Sequence, residues 1–178
     1  SIFREIGLDI DWAVMETTRE EFFHFTKKLH NLIHGAGKPI IHEADRDMYE
    51  DVIREAMGDF TKQIKDNDII VIHDPQPMGM AEIIRKEKPN VELIWRSHIG
   101  LDQQLPQTEV AWSFLKPYFK FYDHSVFSAP EYIPPYLSGN VSIIHPGIDP
   151  LSHKNRELKL HKLVGILANS GLLSKDLD

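Results

Sequence analysis

Two histidines occupy equivalent places in this chain, each closing a short apolar run. Ile69-Ile70-Val71-Ile72 leads into His73-Asp74 and then Pro75-Gln76-Pro77, while Leu93-Ile94-Trp95 leads into Arg96-Ser97-His98, with Gly100 and Asp102 just beyond. An imidazole, a carboxylate and an amide projecting together set hydrogen-bond donors and acceptors side by side, which is what a pair of vicinal hydroxyls requires. The candidate binding residues are therefore His73, Asp74, Gln76, Arg96, His98 and Asp102. The competing reading makes both histidines satisfied core groups and pairs Arg96 with an acidic neighbour. Recurrence of the same chemistry at successive runs favours a shared site.

Such residues need a scaffold that brings the run ends together. Four runs, at 68–74, 91–98, 124–128 and 141–145, all finish in polar or turn-forming residues, with helix-length segments between the first three. Spaced this way they read as parallel strands, and in parallel sheets ligands collect outside the carboxyl ends. The expected fold class is α/β, a Rossmann-like parallel sheet with helices on both faces.

Upstream, Asp11–Glu16 reads as a short strand. Thr18 with Glu21 three residues later is a capping-box start for a helix to about Leu32, ended by Gly35-Ala36-Gly37-Lys38-Pro39. Further helices are expected over about Asp47–Lys65, Met78–Lys86, Glu109–Tyr122 with a bend at Pro117, and Glu157–Leu167. The opening residues Ile2–Leu8 read as the last turns of a helix closed by Gly7, with no strand before them. A doubly wound domain normally starts with a central strand, so the expectation is a sheet lacking its first strand, in a fragment or shortened chain. That gap would lie between the Trp12 and Ile70 runs, leaving a sheet edge through which the chain self-associates as a homo-oligomer.

Composition narrows the class. With 178 residues and 42% hydrophobic content there is chain for one sizeable core. No run is long and apolar enough to span a bilayer, and Ser1–Glu5 lacks signal-peptide character, so no membrane partner is expected. With no cysteine, disulfides and thiolate chemistry are excluded and the cytoplasm is the default compartment. Acidic residues outnumber basic ones 27 to 20, which argues against a nucleic-acid partner.

Other motifs carry less. His30 and His34 stand one helical turn apart with His24 and His42 nearby, but no HExxH pattern completes a ligand set; a solvated helix face is the better reading and no metal is expected. Gly35 and Gly37 lack the strand and the lysine-serine ending of a phosphate loop. Ser97, Ser125 and Ser128 lack the glycines of a nucleophile elbow. Pro130–Tyr136 reads as a rigid turn over the end of the sheet.

Taken in order, Ile72-His73-Asp74-Pro75-Gln76-Pro77, Trp95-Arg96-Ser97-His98-Ile99, Phe127-Ser128-Ala129-Pro130-Glu131-Tyr132 and Pro146-Gly147-Ile148-Asp149-Pro150-Leu151-Ser152 with Lys154-Asn155 resemble the amino-terminal domain of trehalose synthases of the glycosyl-transferring kind, within the family 4 retaining glycosyltransferases. The likeness extends upstream through Phe22-Phe23 and Thr26–Asn31. It implies a GT-B architecture, with residues 1–150 as the acceptor-side domain and 151–178 as a helix and the start of a crossing to a donor-binding domain. It further implies glucose transfer from a nucleotide sugar with retention, no cofactor beyond that donor, and partners limited to the donor and a sugar acceptor. His73 would lie beside the transferring sugar, with Asp74, Gln76, Arg96, His98 and Asp102 on the acceptor side. The chain departs from the pattern in lacking the first strand with its glycine-rich loop and the donor half. It also carries Gly100 after Ile99, where the family often has aspartate.

Overall fold

A computed structural model describes residues 2–58, 60–147 and 158–170. It divides into two compact units, Ser1–His145 and Pro146–Asp178. The first holds helices α1 (Ile2–Glu5), α2 (Glu20–Ile33), α3 (Glu43–Met57), α4 (Met80–Glu87) and α5 (Pro106–Leu115), with strands β1 (Ile69–His73), β2 (Glu92–Ser97), β3 (His124–Phe127) and β4 (Val141–Ile143). The second holds α6 (Leu160–Asn169), none of whose side chains is buried.

The α/β expectation holds. All three strand pairings are parallel, in the order β1-β2-β3-β4. Each strand thus lies beside its predecessor, and right-handed crossovers that always step the same way must all pass over the same face. That face carries Ile72, Leu93, Trp95 and Phe127, all buried, and α2 to α5 pack there. The Trp95 indole meets Trp112, Phe119 and Phe127 edge-on, at centroid distances of 6.2, 5.1 and 5.5 Å. Tyr49 of α3 packs in turn against Phe22, Phe25, Phe114 and Tyr118. The opposite face is far less covered: Ile69 is 69% and Val71 46% exposed.

Helix boundaries shifted for identifiable reasons. α2 is capped by Arg19 rather than by Thr18 and so begins one residue later, at Glu20, where the Arg19 N–H donates to the Thr17 hydroxyl. α3 begins at Glu43, where the Asp45 carboxylate accepts the His42 N–H at 3.0 Å, and ends at Gly58, whose φ of 38° breaks the spiral; Phe60–Gln63 follows as a separate 3-10 turn. Pro117 does bend the fifth helix, converting Lys116–Phe121 to 3-10 geometry.

The strand expected at Asp11–Glu16 does not form. Its alternation is real, but a strand exists only through a ladder, and among the described residues no neighbour pairs with this segment's backbone; Trp12 and Val14 stay 76% and 70% exposed. The expected helix start at Glu157, and the run Ile148–Asn155 that carried part of the resemblance, lie outside the described residues.

Candidate functional site

The carboxyl ends of β1 and β2 bring His73, Asp74, Arg96 and His98 together. Pairing sets His73 beside Arg96, and His98, two residues further on, returns to the same face. The two imidazoles stack, with centroids 5.2 Å apart and planes 9° from parallel. The indole of Trp12 comes within 5.5 Å of the His73 ring, tilted by 49°. Trp12 was assigned to a strand by its alternation, and nothing in its spacing points to His73.

Asp74 organises the cluster. Its φ is 61°, in the left-handed region where a side chain is strained, and contacts from the neighbouring strand hold it there. Its N–H donates to the Arg96 carbonyl at 2.8 Å, and its own carbonyl accepts from the Trp95 indole at 3.0 Å. One carboxylate oxygen accepts the His98 main-chain N–H at 2.9 Å, and His98 Nδ1 stands 3.3 Å from both oxygens. Burial lowers the pKa of the half-buried His73 imidazole; His98 and Arg96 add to this and Asp74 opposes it. At neutral pH His73 is therefore an uncharged ring with one N–H donor and one acceptor nitrogen, suited to a hydroxyl.

Arg96 is 91% buried by its relative exposure of 9% and reaches across the sheet. Its Nη2 donates to the Ile144 carbonyl at 2.6 Å and to the Ser128 hydroxyl at 3.3 Å, and that hydroxyl donates to the Ser97 carbonyl. His145 Nδ1 sits 3.0 Å from the Ser128 carbonyl, which ties the end of β4 to the same group. Arg96 makes no ion pair among the described residues, and its buried Nη1 has no hydrogen-bond partner. The acidic partner allowed for in the sequence is thus not found there; the guanidinium locks strand ends together through uncharged oxygens.

The remaining candidates make no hydrogen bond to this cluster among the described residues. Gln76 is half-buried in the turn after Asp74, and Asp102 is exposed on the loop after β2. That turn is itself anchored from beneath. The buried Tyr49 hydroxyl donates to the Pro75 carbonyl at 3.0 Å and accepts the Gly79 N–H at 2.9 Å. Tyr49 was not singled out by sequence, since an aromatic on a helix reads as core; Ser128 was weighed only as a nucleophile, and His145, which closes the fourth run as His73 and His98 close theirs, was not carried into the candidate set.

His30 and His34 do face each other, with ring centroids 4.8 Å apart. Among the described residues no group of three or more potential ligands surrounds them or any other point. No helix among those residues is long and apolar enough to cross a membrane.

Residues 1–134 match the family described as the N-terminal domain of trehalose synthase. The chain belongs to this family. It is 36% identical over 167 residues to the trehalose synthase of Pyrococcus horikoshii, covering 93% of this chain and 38% of that protein. It is 35% identical over 170 residues to the trehalose synthase of Rubrobacter xylanophilus, covering 95% of this chain and 40% of that protein. A trehalose phosphorylase of Pleurotus sajor-caju is 26% identical over 132 residues, 65% of this chain and 16% of the relative. This trehalose synthase N-terminal domain is accordingly a glycosyltransferase-family domain, and it spans about two fifths of the length of the synthases it matches. The His73–His98 stack, the Asp74 brace and the Arg96 tie all lie within or just beyond the matched segment.

Proposed function

We infer that this chain is the acceptor-side domain of a retaining, GT-B glucosyltransferase of the trehalose synthase type, which moves glucose from a nucleotide sugar to a sugar acceptor in the cytoplasm. One observation carries the reading: His73, kept uncharged by its surroundings, stacks on His98 at adjacent strand ends while Asp74 holds both loops in place. In this role His73 hydrogen-bonds a hydroxyl of the sugar at the transferring end, and Asp74, Gln76, Arg96, His98 and Asp102 shape the acceptor side. Their contribution is orientation, while charge on the departing diphosphate is neutralised by groups of a donor-binding domain. The division at residues 1–150 and 151–178 follows from the same reading.

A second reading rests on the same strand-end cluster: a sugar- or nucleotide-binding domain that performs no transfer by itself. Both readings put a sugar on the same residues, so the test is binding. The imidazole resonances of His73 and His98 are followed as glucose is added to the chain. Both should shift together, and His73→Ala should weaken binding by about 0.5–1.5 kcal/mol, the cost of one hydroxyl contact. Resonances that ignore every sugar and nucleotide sugar, or an unchanged affinity in the variant, would refute the assignment.

A further inference from the structure

Three of the four described strands run out in a histidine: His73 closes β1, His98 follows β2 and His145 follows β4. The first two belong to the site described above. His145 lies in the same row of carboxyl ends, and it is held there from two directions. Its main chain is fixed through Ile144, whose N–H donates to the Phe127 carbonyl at 2.9 Å and whose carbonyl accepts from Arg96 at 2.6 Å. Its ring is fixed through Nδ1, 3.0 Å from the Ser128 carbonyl, and the hydroxyl of the buried Ser128 is braced in turn between Arg96 and the Ser97 carbonyl.

The ring contact decides the chemistry of the imidazole. A carbonyl oxygen only accepts, so Nδ1 carries the hydrogen. In the uncharged ring Nε2 is then a bare lone pair, and among the described residues no group hydrogen-bonds to it. His145 is exposed, and an exposed side chain ordinarily hops between rotamers; here a change of rotamer would break the bond to Ser128. One nitrogen is spent on the main chain and the other is presented as an acceptor. A sugar hydroxyl is a donor of the kind such a nitrogen takes.

We propose that His145 is a further sugar-binding residue, whose Nε2 accepts a hydroxyl of a two-ring sugar while the other ring lies against His98 and His73. The inference rests on the sugar-binding reading given above and extends it along the sheet. β2 and β4 lie two places apart, so at about 4.8 Å between neighbouring strands their ends stand roughly 10 Å from each other. That separation is more than one sugar ring covers and within the span of two. Trehalose, a disaccharide of two glucose rings, is the probe of that length.

The chain, isotopically labelled at its histidine nitrogens, is followed by long-range proton–nitrogen correlation in mildly alkaline buffer. His145 should show a protonated Nδ1 and an unprotonated Nε2. Glucose should move only the His73 and His98 signals, whereas trehalose should move these and the His145 Nε2 signal together. His145→Asn keeps an N–H for the Ser128 carbonyl and loses the Nε2 acceptor, so it should leave the urea midpoint unchanged and weaken trehalose binding roughly 2- to 10-fold, with glucose binding unaltered. His145→Gln, whose amide oxygen reaches toward the place of Nε2, should restore most of that affinity. If the asparagine variant does not fold, the labelled unaltered chain decides. A protonated Nε2, a His145 signal that ignores trehalose while His73 and His98 respond, a His145 signal that moves equally with glucose, or undiminished trehalose binding by a folded asparagine variant would each overturn the proposal and leave the His73–His98 reading standing. Silence of all three histidines toward both sugars would overturn the two together.

Discussion

Asp74 and His98 belong to different strand ends, yet one carboxylate joins them, accepting the His98 main-chain N–H at 2.9 Å while lying 3.3 Å from its ring nitrogen. The relationship depends on the left-handed backbone at Asp74, which turns its side chain back over β2 instead of onward into the next turn.

Replacing Asp74 separates the backbone cost from the side-chain cost. Alanine loses the acceptor and must hold a Cβ in the left-handed region, at a combined cost of about 1–3 kcal/mol. Glycine loses the acceptor alone, and asparagine keeps an oxygen and tolerates the conformation. Stability in urea titrations should therefore fall in the order Asp, Asn, Gly, Ala; alanine more stable than glycine here would contradict the strain at this position.

Acid should weaken the fold partly through His73. Its folded-state pKa is lowered, first by burial and then by His98, so near pH 6.5 and below the unfolded chain takes up a proton before the folded one does. The stability tied to this group is complete above that pH and declines as pH falls toward the lowered value. His34, lowered by burial and by His30, acts in the same sense. His73→Gln should flatten part of the fall in unfolding free energy between neutral and mildly acid pH, and an unchanged slope would count against a perturbed His73.

Gly100 sets a test of the loop after β2. A Cβ at this position would overlap Cγ and Cβ of Tyr132, so the turn after β3 presses directly on the backbone. Gly100→Ala should destabilise by about 1–3 kcal/mol through overpacking. Tyr132→Ala should relieve only part of this, because its own Cβ remains in the way; full rescue in the double variant would show that the loop moves freely. An aspartate at this point would require Tyr132 to sit elsewhere.

Tyr49→Phe should show how much the turn carrying Gln76 relies on α3. The buried hydroxyl serves both the Pro75 carbonyl and the Gly79 N–H, and its loss strands those groups at a cost of about 1–3 kcal/mol. Calorimetry reads the stability, and the His73 resonance reports whether the turn has shifted. A stable variant with an undisturbed site would assign the hydroxyl no positioning role.

Nucleotide release by the chain alone tests the division of labour under the proposed function. Incubation with nucleoside-diphosphate glucose and a panel of sugars should give no turnover above background, because stabilisation of the departing diphosphate is the largest catalytic demand. Sustained release by homogeneous protein would reassign that work to residues within this chain.

The four strands of the sheet were legible because each is a short apolar run closed by polar or turn-forming residues. The Trp12 run shares the alternation and fails, since alternation records which side chains suit a strand and not whether a ladder is within reach. His73, Asp74, Arg96 and His98 meet because parallel register aligns strand ends, which spacing alone conveys. Asp102 lies close to them in sequence but is exposed on the loop after β2 and makes no hydrogen bond to them among the described residues. Tyr49 could not be found at all: its hydroxyl partners lie 26 and 30 residues away, and only tertiary packing joins them.

The strand order has a consequence for how the domain comes into being. Among the described residues β2, β3 and β4 each pair with the strand synthesised just before, so none of these pairings waits for a distant part of the chain. Each newly emerged strand and its crossover can dock onto a finished neighbour, and loop closure is met in short instalments rather than one long search. β4, the shortest strand, is laid down last on a platform already in place, and the Arg96 side chain, in position since β2, is then free to close on the carbonyl of Ile144. That hydrogen bond fixes β4 to the strand laid down two steps earlier.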